Sequence, residues 1–586
     1  MAEVALSIED RPLSVHGINT RWFLVPAIAL LIAMDILLLT PRLFPNLAEI
    51  NWDESFYISN GRALAELEWV APAENPLTGF LYVAPYAGLK QDVFWLLKAA
   101  TVGRFVMLFL LWGGCLLFAA HYRKTISPLV FPVLFVALAP SAVLLNNSSD
   151  GLFAAFAALA LVFVLDAART GRWKAVAAAS VLVSLAALSR NDGLVLFVLF
   201  FAMSLWIGFR RKKLLGFVVA SLVPFLLIVG QYLACYGVVT GDFHWHLKER
   251  AYLAFTQGEG FVFADEVGAD FVPVAGMRAS ESLYGSPAAN DHSIMKAISH
   301  NPRAFLRRLG RTIATLPAKI SDAYGSEKAP LLILLALIGA WSLVQGGRRT
   351  ELYLLALWPA YLLAYFITFF RAEYLAFSFS SLLALAAVGL QTCLSGKASR
   401  RMLQGFLVIV LAICLGALIA GSMALLLLTS GFFASVLAAG LLVTRGYARA
   451  AALVFLPLFV AAVLIPGIHV KCRALGGSPD EASMAFLRAH FGANQAIAAF
   501  SPTVVVGALQ SYRDMSSLQT DEGWNAESLR NWLAKYGVDA VYVDGELMKF
   551  KPRLWRSIEK GEGAFLTKAF VADGGIHRVF VVDLDE

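Results

Sequence analysis

Carboxylates and arginines in this sequence gather in short stretches between long apolar runs. Asp53 and Glu54 stand together in Trp52-Asp53-Glu54-Ser55-Phe56-Tyr57. A carboxylate there can serve as a general base. An acidic residue opening a helix can equally act as a cap or dipole partner. Asp150 closes Asn146-Asn147-Ser148-Ser149-Asp150, a stretch that also suits a plain turn. Ser189-Arg190-Asn191-Asp192-Gly193 and Phe370-Arg371-Ala372-Glu373-Tyr374 each carry one arginine beside acidic groups. Isolated arginines of this kind suit an anion such as a phosphate. His244-Trp245-His246 is an HxH that on a strand could offer two imidazoles to a divalent metal, or form an interfacial cluster anchored by Trp245. Residues 292–316 read as a basic amphipathic helix, with Phe305, Leu309 and Ile313 on one face and Arg303, Arg307, Arg308 and Arg311 on the other. Such a helix rests on a bilayer or attracts an anionic lipid headgroup.

These groups need elements to hold them, and composition says what kind. Of 586 residues, 59% are hydrophobic and 15% charged, and the mean hydropathy is +0.68. Soluble domains run at about 45–50% apolar and about 25% charged. A cytosolic enzyme, a disordered chain and a secreted disulfide scaffold are therefore excluded. The five cysteines form no CxxC and no metal-spaced set. Apolar runs long enough to cross a bilayer predict about 13 spans. They fall near 22–39, 104–121, 127–145, 151–167, 174–189, 193–209, 214–236, 329–345, 352–369, 374–393, 403–426, 429–444 and 448–466. The first has no cleavage site after it and reads as a retained signal anchor.

Lys and Arg then set the orientation. Arg123, Lys124, Arg169, Arg172, Lys174, the 210–213 cluster, Arg348, Arg349, Lys397, Arg400, Arg401, Arg445 and Arg449 all fall on one side. The short loops opposite hold only Arg190 and Arg371. This predicts an integral, multi-pass membrane protein with its N-terminus in the cytoplasm and its C-terminus outside. Three outer segments are long: 40–103, 237–328 and 467–586. The last is richer in charge, and its helical and alternating patterns predict a small α/β domain. The expected fold is thus an α-helical polytopic module over 1–466 with an extracytoplasmic α/β domain over 467–586. Ionisable groups sit at span ends rather than mid-membrane, which points to a site at the outer boundary.

Taken together, these features resemble the GT-C glycosyltransferase superfamily, which includes protein O-mannosyltransferases and the aminoarabinose transferases that modify lipid A. The resemblance rests on Trp52-Asp53-Glu54-Ser55-Phe56-Tyr57 in the first outer loop, on Asp150 after the third span, on Ser189-Arg190-Asn191-Asp192-Gly193-Leu194 after the fifth, and on Arg371-Ala372-Glu373-Tyr374. The layout of loops agrees. The family's His-Pro-Pro-Leu-like element is absent; Ala84-Pro85-Tyr86-Ala87-Gly88 stands near its place.

The resemblance implies a glycosyltransferase, using hexose or pentose, that moves a sugar from a polyprenyl-phosphate donor to an acceptor hydroxyl with inversion. It implies that Asp53 is the catalytic base and that Glu54, Asp150 and Asp192 support it, bind acceptor or hold a divalent metal. Arg190, Arg371, Tyr374, Arg307 and Arg311 would then face the donor phosphate. The expected partners are that donor, membrane lipid, and a glycan, lipid or protein acceptor, in a bacterial inner membrane, with no nucleic acid. Alternatives are a lipid-linked oligosaccharide polymerase or ligase centred on 237–328, and a transporter or flippase. The latter would want midplane charges and internal pseudo-symmetry, and the sequence displays neither.

Overall fold

A computed structural model describes residues 21–45, 47, 50, 52–66, 75–241, 249, 251–259, 280–325, 328–368, 370–394, 479–493, 495–515, 525–572 and 575–584. The chain is mostly helical. It opens with α1 (Arg21–Leu43), α2 (Trp52–Ala65), α3 (Pro76–Leu89), α4 (Trp95–Tyr122), α5 (Val130–Leu138), α6 (Ser141–Leu144), α7 (Ser148–Thr170), α8 (Trp173–Ser189) and α9 (Gly193–Arg210). Six of the described helices are long and apolar enough to cross a membrane, and Trp173–Ser189 and Phe379–Cys393 are shorter apolar ones. Their outward faces expose Leu30, Leu37, Val198, Phe209, Leu215, Leu227 and Leu363, as expected of helices whose solvent is lipid.

Several predicted spans depart from a regular α-helix, each for a local reason, although those at 214–236 and 352–369 still form single apolar stretches of membrane length, Leu214–Val238 and Arg349–Ile367. The 127–145 run splits into α5 and α6 because Pro140 offers no N–H, and Ala139 before it is extended (ψ 139°). The 214–236 run contains Pro224 and a single π turn at Leu226–Gly230. The 352–369 run passes through a 3₁₀ segment at Trp358–Leu362, where Pro359 interrupts the α-helix. The 374–393 run is a short helix, Ala372–Ala376, followed by Phe379–Leu394. The predicted spans at 403–426, 429–444 and 448–466 lie outside the described residues, so the total of 13 is not reached among them.

The bundle core is built by α4, α5, α7 and helices Ala329–Gln345 and Phe379–Leu394. Phe118 and Tyr122 stack on Phe131, at 5.9 Å and 5.5 Å between ring centroids. Asp35, the one acidic residue of α1, accepts a hydrogen bond from Trp112 Nε1 at 2.8 Å. The tightest crossing joins Ala329–Gln345 to Phe379–Leu394. A Cβ on Gly339 would lie 1.8 Å from the Leu385 carbonyl oxygen, and one on Gly389 2.0 Å from that of Leu335. Small residues let membrane helices approach backbone to backbone. Gly339→Ala and Gly389→Ala are each expected to cost about 1–3 kcal/mol through overpacking, read as a lower unfolding temperature in detergent. An unchanged temperature for both would mean that the helices do not meet at this crossing.

The C-terminal segment carries a five-stranded sheet in the order β2-β1-β3-β5-β4. Its strands are β1 (Ala496–Ala499), β2 (Ser511–Asp514), β3 (Ala540–Val543), β4 (Leu566–Ala572) and β5 (His577–Val582). β1, β2 and β3 are parallel, whereas β5 runs antiparallel to β3 and β4. Helix Ala526–Lys535 begins with a reciprocal capping box between Asn525 and Ser528. Met484, Ile497, Val505 and Tyr542 pack the sheet against Ile58 of α2 and Trp95 and Leu96 of α4.

Asp544 caps helix Gly545–Phe550, accepting from the Leu547 N–H at 2.8 Å. Burial pushes its carboxyl up to about 6 against that hydrogen bond. A raised carboxyl contributes stability that is present below its unfolded value near 4 and is lost as pH rises through about 6. Asn keeps the cap oxygen without the charge. Asp544→Asn is therefore expected to stabilise the chain relative to wild type increasingly from pH 4 to pH 7, and a pH-independent difference in unfolding temperature would contradict this.

Candidate functional site

The first turn of α2 sends two adjacent carboxylates in different directions. Glu54 is 1% exposed. One of its oxygens accepts from the Tyr82 hydroxyl of α3, and the other accepts from the Ser148 N–H at 2.7 Å. Ser148 is the first residue of α7, so this N–H has no partner within its own helix. Glu54 thereby ties α2 to α3 and to the start of α7. Burial pushes its carboxyl above the usual range, opposed by the hydrogen bonds from Tyr82 and Ser148 and by the charge of Arg104.

Asp53, one residue earlier, is exposed. Asn147 Nδ2 approaches its Oδ2 at 3.4 Å. The orientation of that amide is fixed by Asn147 Oδ1, which accepts from the Ser149 N–H and the Ser149 hydroxyl, both at 2.9 Å. Asn147 is also the N-cap of α7, so the cap and the contact with Asp53 are made by two ends of one side chain. Tyr57, one turn along α2, is buried and takes a hydrogen bond from Asn75 Nδ2 at 2.9 Å. Burial and the neighbouring charge of Asp53 push its hydroxyl up, and Arg190 and Asp150 act on it as well.

Arg190 follows the end of α8 in extended backbone (φ −150°, ψ 139°), which turns its side chain back over the site. It forms ion pairs with Asp150 and, at 2.8 Å, with Asp192. Its guanidinium lies over the rings of Tyr374 and Phe377, at 5.2 Å and 5.5 Å. Tyr374 in turn stacks on Tyr365 at 4.1 Å. Arg371 pairs with Glu373 at 2.9 Å, with 41% of its side chain exposed against 16% for Arg190. Burial pushes the Glu373 carboxyl up, Arg371 and Arg190 oppose this, and Asp150 and Asp53 add to it.

The start of α2, the turns before α7 and α9 and the 371–374 turn therefore meet at one place. Between them lies a cavity of about 210 Å³ lined by Arg42, Ala142, Val143, Asn146, Asn147, Asp150 and Glu373. Asp53, Asp150, Arg190, Asp192, Arg371 and Tyr374, far apart in sequence, gather around it.

Arg307 and Arg311 stand apart from this cluster, exposed on helix Pro302–Ala314. The arginine of that helix that turns inward is Arg308. It donates to the carbonyls of Phe255 at 2.9 Å and Thr368 at 2.7 Å, and also to that of Ile367. Glu259 lies 3.5 Å from it. Arg308 thus tethers the segment around Phe255 to the one leading into Arg371. Ile313 is exposed rather than buried with Phe305, so the apolar side of this helix is not sealed against protein.

His244 and His246 lie outside the described residues. Among the described residues, no group of three His, Cys, Asp or Glu could hold a metal ion. Glu54 already uses both oxygens and Asp150 faces Arg190. These carboxylates do not fit a divalent ion, and no chemical step here is assigned to one.

Sequence alone does not single out Arg42, Asn146, Asn147 or Tyr57 as members of the site. The signal for the two asparagines was present in the 146–151 turn, where turn chemistry alone accounted for them.

The arrangement is a bundle of apolar helices with a small C-terminal sheet and a charged cavity at one end of the bundle. Among solved structures it is similar to ArnT from Cupriavidus metallidurans bound to undecaprenyl phosphate, with a TM-score of 0.54 and 14% identity over 96% of this chain and 98% of that one. The same protein in the apo state gives 0.50 and 14% over the same shares. The archaeal oligosaccharyltransferase AglB from Archaeoglobus fulgidus, in complex with an inhibitory peptide and a dolichol-phosphate, gives 0.49 and 12% over 95% of this chain and 74% of that one. No family model and no curated protein matches the sequence.

Proposed function

We propose that this chain is a glycosyltransferase that moves a sugar from a polyprenyl-phosphate donor to an acceptor hydroxyl at the outer face of the membrane, with inversion. The observation that carries the reading is one exposed carboxylate, Asp53, held beside a charged cavity in a chain with the fold of a protein solved with undecaprenyl phosphate. The acceptor oxygen attacks the anomeric carbon while Asp53 takes its proton. The bond from that carbon to the phosphate oxygen breaks, and its electron pair leaves with polyprenyl phosphate. Negative charge grows on the leaving phosphate, and a preorganised cation there is often the largest catalytic contribution. Arg371, paired with Glu373 and the more exposed of the two arginines, is the group for this. Arg190 is engaged by Asp150 and Asp192, and its part is to hold the carboxylates and aromatic rings of the cavity in place. Glu54 is a positioning residue: it fixes α2 so that Asp53 faces outward.

In this reading the N-terminus is cytoplasmic and the sheet over residues 467–586 is an extracytoplasmic domain, in a bacterial inner membrane. Hexosyl and pentosyl donors both suit a cavity of this size. The test is to supply cells with radiolabelled sugars and extract their lipids. Cells lacking the chain are expected to accumulate one polyprenyl-phosphate sugar, which falls on re-expression. Lipid pools identical in both would overturn the reading.

A further inference from the structure

The side of α2 away from the cavity meets the outer sheet. The Ser55 hydroxyl lies 2.8 Å from that of Thr503, which follows β1, and Arg62 donates to the Leu509 carbonyl at 3.0 Å. Trp95 Nε1 donates to the Gly507 carbonyl at 2.9 Å. The carboxyl end of β1 therefore opens beside the first turn of α2. The chain runs from β1 out to β2 and then back past β1 to β3, so the strand order reverses beside β1, and ligands of open α/β sheets bind at such positions.

One large apolar side chain here is exposed. Phe56 is 41% exposed and sits three residues after Asp53, on the same helical face. Its ring meets that of Tyr512 on β2 edge-to-face, with centroids 6.2 Å apart. Tyr512 is itself steered toward the carboxyl end of β1 by the hydrogen bond from its hydroxyl to the Phe500 carbonyl, at 3.2 Å. An aromatic residue near a membrane boundary can also serve as a lipid anchor. Phe56 leans on a strand of the outer sheet, not on an apolar transmembrane face.

We propose that Phe56 and Tyr512 form the acceptor subsite, and that the acceptor hydroxyl belongs to a sugar ring. This rests on the transferase reading above. Inversion requires the acceptor and the leaving phosphate on opposite sides of the anomeric carbon, with the base on the acceptor side. Asp53 contacts Asn147, which lines the charged cavity, and has Phe56 of the aromatic pair about one helical turn along its own face. A sugar ring offers a face of polarised C–H groups that an aromatic π face attracts. Its hydroxyls project from the rim, where a carboxylate one helical turn away can reach one. A lipid tail needs a continuous apolar groove, and a peptide needs backbone partners; the described residues around Phe56 provide one aromatic pair beside a carboxylate.

The test uses membranes containing the full chain and their own donor and acceptor pools. After transfer of radiolabelled sugar, mild acid removes label still on polyprenyl phosphate, and the remaining linkage is identified by partial hydrolysis and mass spectrometry. The expected product is label joined to another sugar. Label joined to a hydroxyamino acid or to glycerol overturns the proposal. Phe56→Ala is expected to lower transfer at least about tenfold at limiting acceptor, equivalent to about 1.4 kcal/mol, while Phe56→Tyr retains most of it. Phe56 is exposed, so the Ala variant should fold; wild-type transfer by that variant overturns the subsite. Absence of any transfer by wild type is a different outcome, and it removes the transferase reading itself.

Discussion

Asp53→Asn is expected to lower sugar transfer at least about a hundredfold, since general-base assistance is worth typically 10²–10⁴-fold. Expression and thermal stability should stay near wild type. Asp53 is exposed, and its contact with Asn147 at 3.4 Å is long. The helix-dipole part of the structural cost, loss of one negative charge from the first turn of α2, is about 0.3–1 kcal/mol. Asp53→Glu should recover only part of the rate, because misplacing a reacting group by about an ångström can cost about 10²-fold. Transfer assays in membranes, with protein levels matched, check all three variants. If the Asn variant works at the wild-type rate, Asp53 is a dipole partner of α2, and Glu373, with 29% of its side chain exposed, becomes the next carboxylate to examine.

Arg190→Ala should be the most damaging change to folding in the site. It strands Asp150, whose side chain is 6% exposed, and frees Asp192. Breaking one side of a buried ion pair costs about 3–5 kcal/mol, and the stacking on Tyr374 and Phe377 is lost as well. Lysine should rescue little. A single ammonium cannot bridge two carboxylates and lie flat on aromatic rings as a guanidinium does. Arg190→Met combined with Asp150→Asn removes both charges and should regain much of the unfolding temperature without regaining transfer. An Arg190→Ala chain that melts like wild type would show that the Asp150–Arg190–Asp192 group does not brace the site.

Membrane physics made much of this legible in sequence. Each of Asp53, Asp150, Arg190, Asp192 and Arg371 lies in a connecting segment or at a helix end on the same side of the bundle, and equal depth brings distant segments to one layer. Depth does not say which neighbour each group meets. Asp53 and Glu54 look interchangeable in sequence. A rotation of about 100° per residue sends one outward and the other into Tyr82 and Ser148. Arg307, Arg308 and Arg311 likewise share a helix pattern, and only the placement of the 255, 367 and 368 carbonyls selects Arg308 for burial.

In the sheet, residues Val538–Val543 and 578–584 alternate in sequence and so point to β3 and β5. The buried Ala-Ile-Ala-Ala of β1 has no alternation to read. β4 carries a bulge between Lys568 and Phe570 that breaks its period. The meeting of Ser55 with Thr503 spans most of the chain and leaves no local trace.

The central claim is transfer from a polyprenyl-phosphate sugar by a site that contains Asp53. Its most direct measurement follows lipid and sugar together in membranes holding wild-type or Asp53→Asn chain. The account predicts one polyprenyl phosphate released for each sugar joined to acceptor by wild type, with both signals falling together at least about a hundredfold in the variant. Sugar joined to acceptor while the polyprenyl-phosphate sugar pool stays constant, or equal release by both chains, would contradict it.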